Sequence, residues 1–257
     1  MSYFSVSTAQ RSGSANFGVT QVATFINRPA GYQPPPFTDE ENLVAYEIGA
    51  KWFVNDSLYL DAAIYYNDWK DIILELTELY IDPQVGIVTP GTVRENPGDA
   101  KSYGLETSLN FSLTESITAT AGLNLMESEY IDTPENSGVS DGDQIQSVPD
   151  WTGFAALDYS KPVSIFGGSN VVAGFFATYM GERFAYGSGG ETAKTDGFAR
   201  VDARAGLETE DWSLTLHVNN LGDSDDRTYN TTGSLAIEPY DAYMQPRTTE
   251  LVFNYNF

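Results

Sequence analysis

Apolar residues alternate with small or polar residues along much of this chain, and this period of two restricts the possible folds more than any other feature. Between residues 103 and 113 the odd positions carry large apolar side chains or threonine, and the even positions carry Gly, Glu, Ser and Asn. A short turn at 114–116 follows, and the alternation resumes from Ile117 to Leu125. Because successive side chains of a strand point to opposite faces, the segment predicts a β-hairpin with one apolar face.

The alternation assigns individual residues to the two faces of this hairpin. One face is predicted to meet lipid, with the residues Leu105, Leu109, Phe111, Ala121 and Leu123. The other is predicted to face a polar interior, with the residues Glu106, Asn110, Thr120 and Asn124.

The same pattern recurs often enough to predict about ten strands. Clear alternation marks residues 46–52, 58–66, 199–207 and 214–218, and weaker alternation marks 148–159 and 171–180. Strands at 1–10 and 248–257 complete the set. We expect an antiparallel meander in which each strand pairs with its neighbour in the sequence, leaving exposed edges at the two terminal strands.

The predicted connections are alternately short and long. Turns lie near residues 54–57, 114–116 and 208–211, and long connections lie near 11–42, 70–98, 127–147, 183–197 and 222–242. Tyrosine and tryptophan residues fall mainly near the strand ends. Short turns on one side, long loops on the other and aromatic girdles at both interfaces are typical of transmembrane β-barrels.

The composition excludes several classes of function. With 36 acidic and 13 basic residues, the net charge of −23 argues against any nucleic-acid partner. The absence of cysteine excludes disulfides, thiolate metal sites and cysteine catalysis. A single histidine, His217, and the lack of phosphate-binding or dinucleotide-binding motifs predict that the chain is not an enzyme and has no cofactor.

The last strand carries a further signal. Leu251, Phe253, Tyr255 and Phe257 alternate with other residues, and Phe257 is the last residue of the sequence. The pattern resembles the closing strand of bacterial outer-membrane proteins, where it is the signal for the barrel-assembly machinery. The alternative is an ordinary edge strand, although so apolar an edge would promote aggregation of a soluble protein.

With this terminus, six further segments make the chain resemble the C-terminal part of a TonB-dependent receptor over nearly its whole length. They are residues 41–51 (ENLVAYEIGAK), 62–72 (AAIYYNDWKDI), 96–106 (NPGDAKSYGLE), 148–151 (VPDW), 218–223 (VNNLGD) and 246–248 (PRT). The resemblance implies an all-β fold of about ten antiparallel transmembrane strands in meander order. These would be the last part of an outer-membrane barrel of about 22 strands.

The resemblance also implies parts that the sequence does not show. In that family an N-terminal plug domain closes the barrel and carries the segment that contacts TonB. Neither a plug nor a signal peptide is recognisable, so residues 1–257 are interpreted as one barrel segment, a fragment of a longer receptor in the bacterial outer membrane. Its expected partners are outer-membrane lipid and lipopolysaccharide, the barrel-assembly machinery, and the TonB system only through the missing plug region.

The implied function is TonB-driven uptake of a scarce solute. A ferric siderophore is the commonest substrate of the family, with vitamin B12 or a glycan as alternatives. By itself the chain is expected neither to catalyse nor to transport. Outside this family, the alternation also permits a soluble, secreted β-sandwich that binds glycans, or a small passive pore. The rhythm of short and long connections and the terminal Phe257 favour the receptor.

Two sets of residues are candidate ligand contacts. The first set comprises aromatic residues in the long loops, which suit an amphipathic ligand but also pack on one another without one. They are Phe37, Tyr80, Tyr130, Tyr186, Tyr229 and Tyr240, in the loops near 16–37, 76–95, 127–146, 184–194 and 223–241. The second set comprises polar residues that the alternation places in the lumen, either as substrate contacts or as an internal salt-bridge network. They are Arg200, Asp202, Arg204 and His217.

Acid-rich loops are a further candidate. One cluster comprises Asp132, Glu135, Asp141, Asp143 and Asp150, and a second comprises Asp223, Asp225 and Asp226. Carboxylates in such numbers suit Ca²⁺ or a divalent bridge to lipopolysaccharide, but they also occur in simply solvated loops. No EF-hand spacing follows, and no metal ligand is assigned.

Overall fold

The computed structural model describes residues 1–16, 24–26, 28–133, 139–166, 168–186, 192–230 and 241–256. The regular secondary structure in these ranges consists of β-strands alone, as the alternation predicts. None of the described residues belongs to a helix long and apolar enough to cross a membrane.

Seventeen strands follow one another along the described chain. They are β1 (Ser2–Arg11), β2 (Thr24–Phe25), β3 (Glu41–Asn55), β4 (Leu58–Lys70), β5 (Leu74–Ile81), β6 (Val88–Glu95), β7 (Asp99–Thr114), β8 (Ile117–Ile131), β9 (Trp151–Val163), β10 (Ser169–Met180), β11 (Arg183–Tyr186), β12 (Thr192–Thr195), β13 (Phe198–Glu208), β14 (Trp212–Asn219), β15 (Arg227–Asn230), β16 (Asp241–Tyr243) and β17 (Thr248–Tyr255).

Ten of these strands form one antiparallel sheet, in the order β1-β3-β4-β7-β8-β9-β10-β13-β14-β17. Each strand of the sheet pairs with the next one in this order, so the predicted ten-strand meander is confirmed. Strands β1 and β17 are the two edges of the sheet. A β-sandwich needs two sheets packed face to face, and the single layer formed here excludes that alternative.

The other seven strands lie in the long connections. Strands β2, β5 and β6 form a three-stranded sheet, and β11–β12 and β15–β16 form two hairpins. The sequence predicts only a loop at residues 70–98, whereas the structure has the hairpin β5–β6 there. Pro90 and Gly91 lie within β6, and these two residue types weaken the usual signal of a strand.

Side chains close the short turns of the main sheet. The Asn55 side-chain oxygen accepts hydrogen bonds from the backbone N–H groups of Ser57 and Leu58, both at 2.9 Å. The Thr209 hydroxyl oxygen accepts one from the Trp212 N–H at 3.0 Å. Such local bonds satisfy the backbone where the ladder stops, and they allow the chain to reverse within a few residues.

One face of the main sheet, the outer face, is a continuous apolar surface. Phe4, Ile48, Ile64, Leu105 and Leu125 stand opposite one another in successive strands and form a row across the sheet. Phe4 is 67% exposed and Ile64 is 60% exposed. A row of this size is costly in water and favourable in hydrocarbon.

Aromatic pairs mark this outer face near the end of the sheet that carries the long connections, the long-loop end. The rings of Trp151 and Tyr179 stack with their centroids 3.8 Å apart, and those of Tyr46 and Tyr66 lie 6.3 Å apart. Tyrosine and tryptophan at such positions place their apolar bodies in lipid and their polar tips among headgroups.

The opposite face, the inner face, is polar and concave. Asn110 donates a hydrogen bond to the Thr120 hydroxyl at 3.1 Å, and Glu106 stands opposite Asn124 in the register. The Tyr65 hydroxyl reaches across β7 and donates to the Asn124 side-chain oxygen at 3.1 Å. The alternation therefore separates the two faces of this hairpin as the sequence predicts.

The enclosed cores lie at the long-loop end, in the long connections and in the ends of β7 and β8 that carry them. One core consists of Ile72, Leu74, Ala100, Tyr130, Val139 and Ile145, and another of Phe25, Tyr80 and Val93 with Tyr32 packed against them. A single-layer sheet has no second layer to cover either face, so only the folded loops can exclude solvent on their own.

Replacing two neighbouring residues, one from each face, tests this assignment. Leu109 stands between Leu60 and Ala121 on the outer face, whereas Asn110 lies on the inner face. We expect Leu109→Arg to destabilise the chain folded in lipid by ~2–4 kcal/mol and Asn110→Arg to cost much less. Urea titration of the two variants in phospholipid vesicles measures both. Equal penalties contradict the assignment of faces.

Candidate functional site

The long-loop end and the inner face together form the candidate binding surface. The first part is a module made of β2, β5, β6 and residues 28–32, called here the first loop module. Its aromatic core brings Phe25 and Tyr32 into edge-to-face contact with centroids 5.1 Å apart, and Tyr80 lies 5.9 Å from Phe25. Val93 is fully buried beneath them. These contacts fold the connection between β1 and β3 onto the β5–β6 hairpin.

A buried cluster of charged residues stabilises this module. The Arg28 guanidinium lies 2.8 Å from carboxylate oxygens of both Glu78 and Glu95, and the Arg28 and Glu78 side chains are 5% and 0% exposed. The Arg28 guanidinium carbon lies 4.8 Å from the centre of the Tyr32 ring, and the Tyr32 hydroxyl donates to Glu95. A buried cation paired in this way positions the loop with high geometric specificity.

The electrostatics keep the cluster in one protonation state. Burial lowers the pKa of Arg28, but the charges of Glu78 and Glu95 outweigh it and raise that pKa above its usual range. Burial and the hydrogen bond to Glu95 raise the pKa of Tyr32. Arg28 is therefore a cation and Tyr32 a neutral donor at physiological pH, and both are committed to structure rather than to a ligand.

Two further residues attach the first loop module to the strands. The Asn16 side-chain amide donates to the carbonyls of Pro35 and Arg94 at 2.6 and 2.8 Å, and its oxygen accepts from the Arg94 N–H at 2.7 Å. The buried carboxylate of Glu41 accepts from Arg11 and from the Ile73 N–H at 2.9 and 2.8 Å. The module is thereby fixed to the ends of β1, β3 and β5.

The β11–β12 and β15–β16 hairpins form a second loop module. The Arg183 Nη2 donates to the Thr228 carbonyl at 2.5 Å, and the Arg227 Nη2 donates to the Lys194 carbonyl at 3.3 Å. The guanidinium of Arg183 also lies 5.6 Å from the centre of the Phe198 ring. Burial lowers the pKa of Arg183, and none of the described carboxylates forms an ion pair with it.

On the inner face, a ladder of charges crosses β9 to β14. Arg204 pairs with Asp158 at 2.9 Å across Gly174, where a Cβ atom would stand only 3.0 Å from the Asp158 oxygen. Arg200 pairs with Asp202 at 2.8 Å. Thr215 and His217 share a hydrogen bond of 2.9 Å. The structure thus places the four predicted lumen residues on one face, with both arginines in ion pairs.

Aromatic rings on the inner face cover three glycines of neighbouring strands. The Tyr3 ring covers Gly49, the Tyr65 ring covers Gly104, and the Phe154 ring covers Gly122. A Cβ at any of these glycines would collide with the ring. The arrangement protects the exposed backbone at glycine and smooths the wall of the sheet.

This concave wall lines an open cavity of about 540 Å³. Phe154 and Phe176, with ring centroids 6.2 Å apart, form its apolar part together with Met180. Glu47 and Glu106 lie on its polar side and also line an adjoining cavity of about 330 Å³. Cavities of a few hundred Å³ with mostly apolar walls and a few polar groups are typical of small-molecule sites.

The structure separates the predicted loop aromatics into different environments. Tyr80 and Tyr130 are 7% and 1% exposed, so they belong to the loop cores and offer no free ring to a ligand. Phe37 and Tyr229 are exposed. The side chain of Tyr186, and the residues Tyr240 and Phe257, lie outside what the structure describes, whereas Leu251, Phe253 and Tyr255 lie exposed on edge strand β17.

Hydrogen bonds order the acid-rich loop between β8 and β9. The Thr133 hydroxyl and backbone N–H both donate to the Asp141 carboxylate at 2.7 Å and hold the pKa of Asp141 below its usual range. Asp143 accepts from the Ser140 N–H at 2.7 Å. Glu135 lies outside the described residues. Among those described, no group of three acidic, His or Cys residues could hold a metal ion.

Sequence reasoning misses the Arg28 cluster and the Phe154–Phe176 pair. Glu78 and Glu95 are 50 and 67 residues from Arg28, and no local motif joins them. Phe154 and Phe176 stand among polar residues on the inner face of weakly patterned strands. Each lies two residues from a threonine, Phe154 from Thr152 and Phe176 from Thr178, and residues two apart in a strand share a face. That spacing is the signal that could have found them.

The sheet order, the two faces and the folded long loops agree with a comparison of sequences. The family described as "TonB dependent receptor-like, beta-barrel" matches residues 1–221. The chain belongs to this family. Its relatives are barrels of the outer membrane of Gram-negative bacteria, so the outer face meets lipid, and the long-loop end is the extracellular end.

Individual relatives resemble the chain at low sequence identity. The probable TonB-dependent siderophore receptor PiuA of Acinetobacter baumannii is 26% identical over 200 residues, which are 72% of this chain and 23% of that protein. The crystal structure of the ferric yersiniabactin uptake receptor FyuA from Yersinia pestis has a TM-score of 0.74 at 19% identity and covers all of this chain. The structure of PiuA has a TM-score of 0.62 at 22% identity and covers 99% of it.

The chain spans only part of these relatives. It corresponds to 35% of the length of FyuA and 34% of the length of PiuA in the solved structures. At such identities the structural likeness supports the fold. What a complete receptor binds and transports is therefore a separate question from the membership in the family.

Removing the cation of the buried cluster tests its structural role. We expect Arg28→Met to destabilise the first loop module by roughly 3–5 kcal/mol, because Glu78 would remain buried without its counter-charge. Amide hydrogen exchange in β5 and β6 measures the effect. The matched control is Arg94→Met, which removes only an exposed pair with Glu75 and should cost under about 1 kcal/mol. Equal exchange rates in both variants contradict the role of Arg28.

Proposed function

We propose that this chain is the barrel segment of an outer-membrane receptor that imports a scarce solute, most simply a ferric siderophore, with energy from TonB. The observation that carries the proposal is the concave inner face with its 540 Å³ cavity, which lies below folded loop modules in a chain of this family. A wall of this kind supplies half of a solute pathway, and the loops above it supply the entrance.

The relatives favour iron complexes within the family. The matching proteins include a siderophore receptor and a ferric yersiniabactin uptake receptor. Vitamin B12 and glycans remain alternatives in the test below, since specificity depends on loops, which diverge most among homologues.

The proposal includes a division of labour. Residues 1–257 supply membrane-spanning strands and extracellular loops, and a plug elsewhere in a longer receptor supplies the gate and the contact with TonB. The apolar strand β17, with Leu251, Phe253 and Tyr255, would present the signal to the barrel-assembly machinery, and the outer face would contact lipid and lipopolysaccharide. We assign no catalytic role, since His217 shares its hydrogen bond with Thr215.

Complementation tests the proposal. The chain alone, and the chain fused behind the plug and preceding strands of FyuA, are each expressed in an iron-starved strain that lacks its own receptors. Uptake is measured with three ferric siderophores carrying radiolabelled iron, namely cationic ferrioxamine B, neutral ferrichrome and an anionic tris-catecholate complex, and with labelled vitamin B12. We expect no uptake by the chain alone and energised uptake of at least one ferric complex by the fusion.

A TonB-deficient strain is the control for energy coupling, and heat-modifiable migration of the fusion on gels verifies assembly. Uptake by the chain alone, or an assembled fusion that imports none of the four solutes, is the result that overturns the proposal. Import of vitamin B12 alone would transfer the proposal to that solute.

A further inference from the structure

The positive charges of this chain are almost completely committed to ion pairs. All thirteen lysine and arginine residues lie in the part that the structure describes. Eleven of them pair with carboxylates at 2.5–3.5 Å. The other two, Lys161 and Arg183, form no ion pair with any carboxylate that the structure describes. An anionic ligand approaching the chain would therefore have to displace a carboxylate at nearly every cation.

Neither of the two remaining cations offers an open anion site. Lys161 lies near the end of β9 that leads into a short turn, on the side of the membrane away from the loops. Arg183 is at the extracellular end but half-buried, with its Nη2 engaged by the Thr228 carbonyl and its Nε enclosed. Its guanidinium also contacts the Phe198 ring.

Free negative charge, in contrast, is abundant at the extracellular end. Nine of the loop carboxylates that the structure describes are exposed and form no ion pair. They are Asp39, Glu40, Asp71, Asp132, Asp141, Asp150, Asp196, Asp225 and Asp226. Fields from charges of one sign above a concave surface raise the local concentration of opposite charges and lower that of like charges.

The cavity on the inner face also carries negative charge. Glu106 lies on its wall without an ion pair or side-chain hydrogen bond among the described residues. Glu47 accepts a hydrogen bond from the Tyr3 hydroxyl at 2.5 Å and forms no ion pair with a described lysine or arginine. Across the cavity stand the rings of Phe154 and Phe176. Carboxylates facing aromatic rings suit an apolar body that carries a positive group or no charge.

We infer that this chain selects neutral or cationic solutes with an apolar or aromatic body and rejects polyanionic complexes such as iron tris-catecholates. The inference rests on the proposed uptake function and narrows its substrate class. Recognition of a polyanion needs arginine or lysine donors that are free to pair with it. Here the cations are already neutralised, and like charges facing each other across an interface are unfavourable.

Equilibrium binding to the full 257-residue chain tests the inference. The chain is refolded in detergent micelles, and quenching of tryptophan fluorescence is followed with ferrioxamine B, ferrichrome and the anionic tris-catecholate complex. We expect ferrioxamine B to bind at least about tenfold more tightly than the tris-catecholate complex at low salt, with ferrichrome between them. The difference should shrink in high salt, because exposed charges are screened.

Matched variants locate the effect. The loop variant carries Glu40→Gln, Asp196→Asn, Asp225→Asn and Asp226→Asn, and none of these side chains makes an ion pair. The control carries Asp56→Asn, Glu115→Gln, Glu210→Gln and Asp211→Asn in the short turns at the opposite end of the sheet. Both remove four negative charges. We expect the loop variant to lose most of the charge preference and the control to keep it.

Each result decides the inference separately from the proposed function. A preference for the cationic complex that falls in the loop variant supports it. Equal or tighter binding of the tris-catecholate complex overturns it and leaves uptake of ferric siderophores standing. Binding of none of the three complexes, or an equal loss of preference in both variants, also overturns it, while the uptake assay with the fusion judges the proposed function.

Discussion

A sheet that lies in hydrocarbon must pair every peptide group with a neighbouring strand, since no water is present to replace a missing partner. This requirement explains why the eight inner strands of the sheet pair on both sides, which leaves only the edges of β1 and β17 open. The thickness of the hydrocarbon layer in turn requires strands such as β7, with 16 residues, to be longer than those of most soluble sheets. Irregular backbone is restricted to the two ends. Cores, ion pairs and cavities therefore collect where the loops fold and on the inner face.

The sequence predicts the main strands well because lipid on one face and polar surroundings on the other impose a period of two. The hairpin β7–β8 shows this clearly, since its register pairs Leu109 with Ala121 on the outer face and Asn110 with Thr120 on the inner face. The hairpin β5–β6 escapes prediction because Pro90 and Gly91 disturb its pattern and because it packs against β2 and Tyr32. Alternation reports a difference between two faces, and this small loop sheet lacks such a difference.

The candidate site is less predictable than the strands, for a physical reason. An aromatic residue in a loop has the same sequence signature whether it contacts solvent, a ligand or a core, so Tyr80 and Phe37 look alike although one is 7% and the other 68% exposed. The lumen residues Arg200 and Arg204 could be assigned to a face from the alternation of side chains along their strand. Their partners could not all be assigned, because the pair with Asp158 depends on how β9, β10 and β13 align and on Gly174 between them.

The attachments of the first loop module have a mechanical consequence. Asn16 ties the connection after β1 to β6, and Glu41 ties the end of β1 to the start of β5. A displacement of the first loop module therefore cannot be absorbed by one loop alone. It must also break the hydrogen bonds at Asn16 and Glu41, which join segments up to 78 residues apart in the sequence.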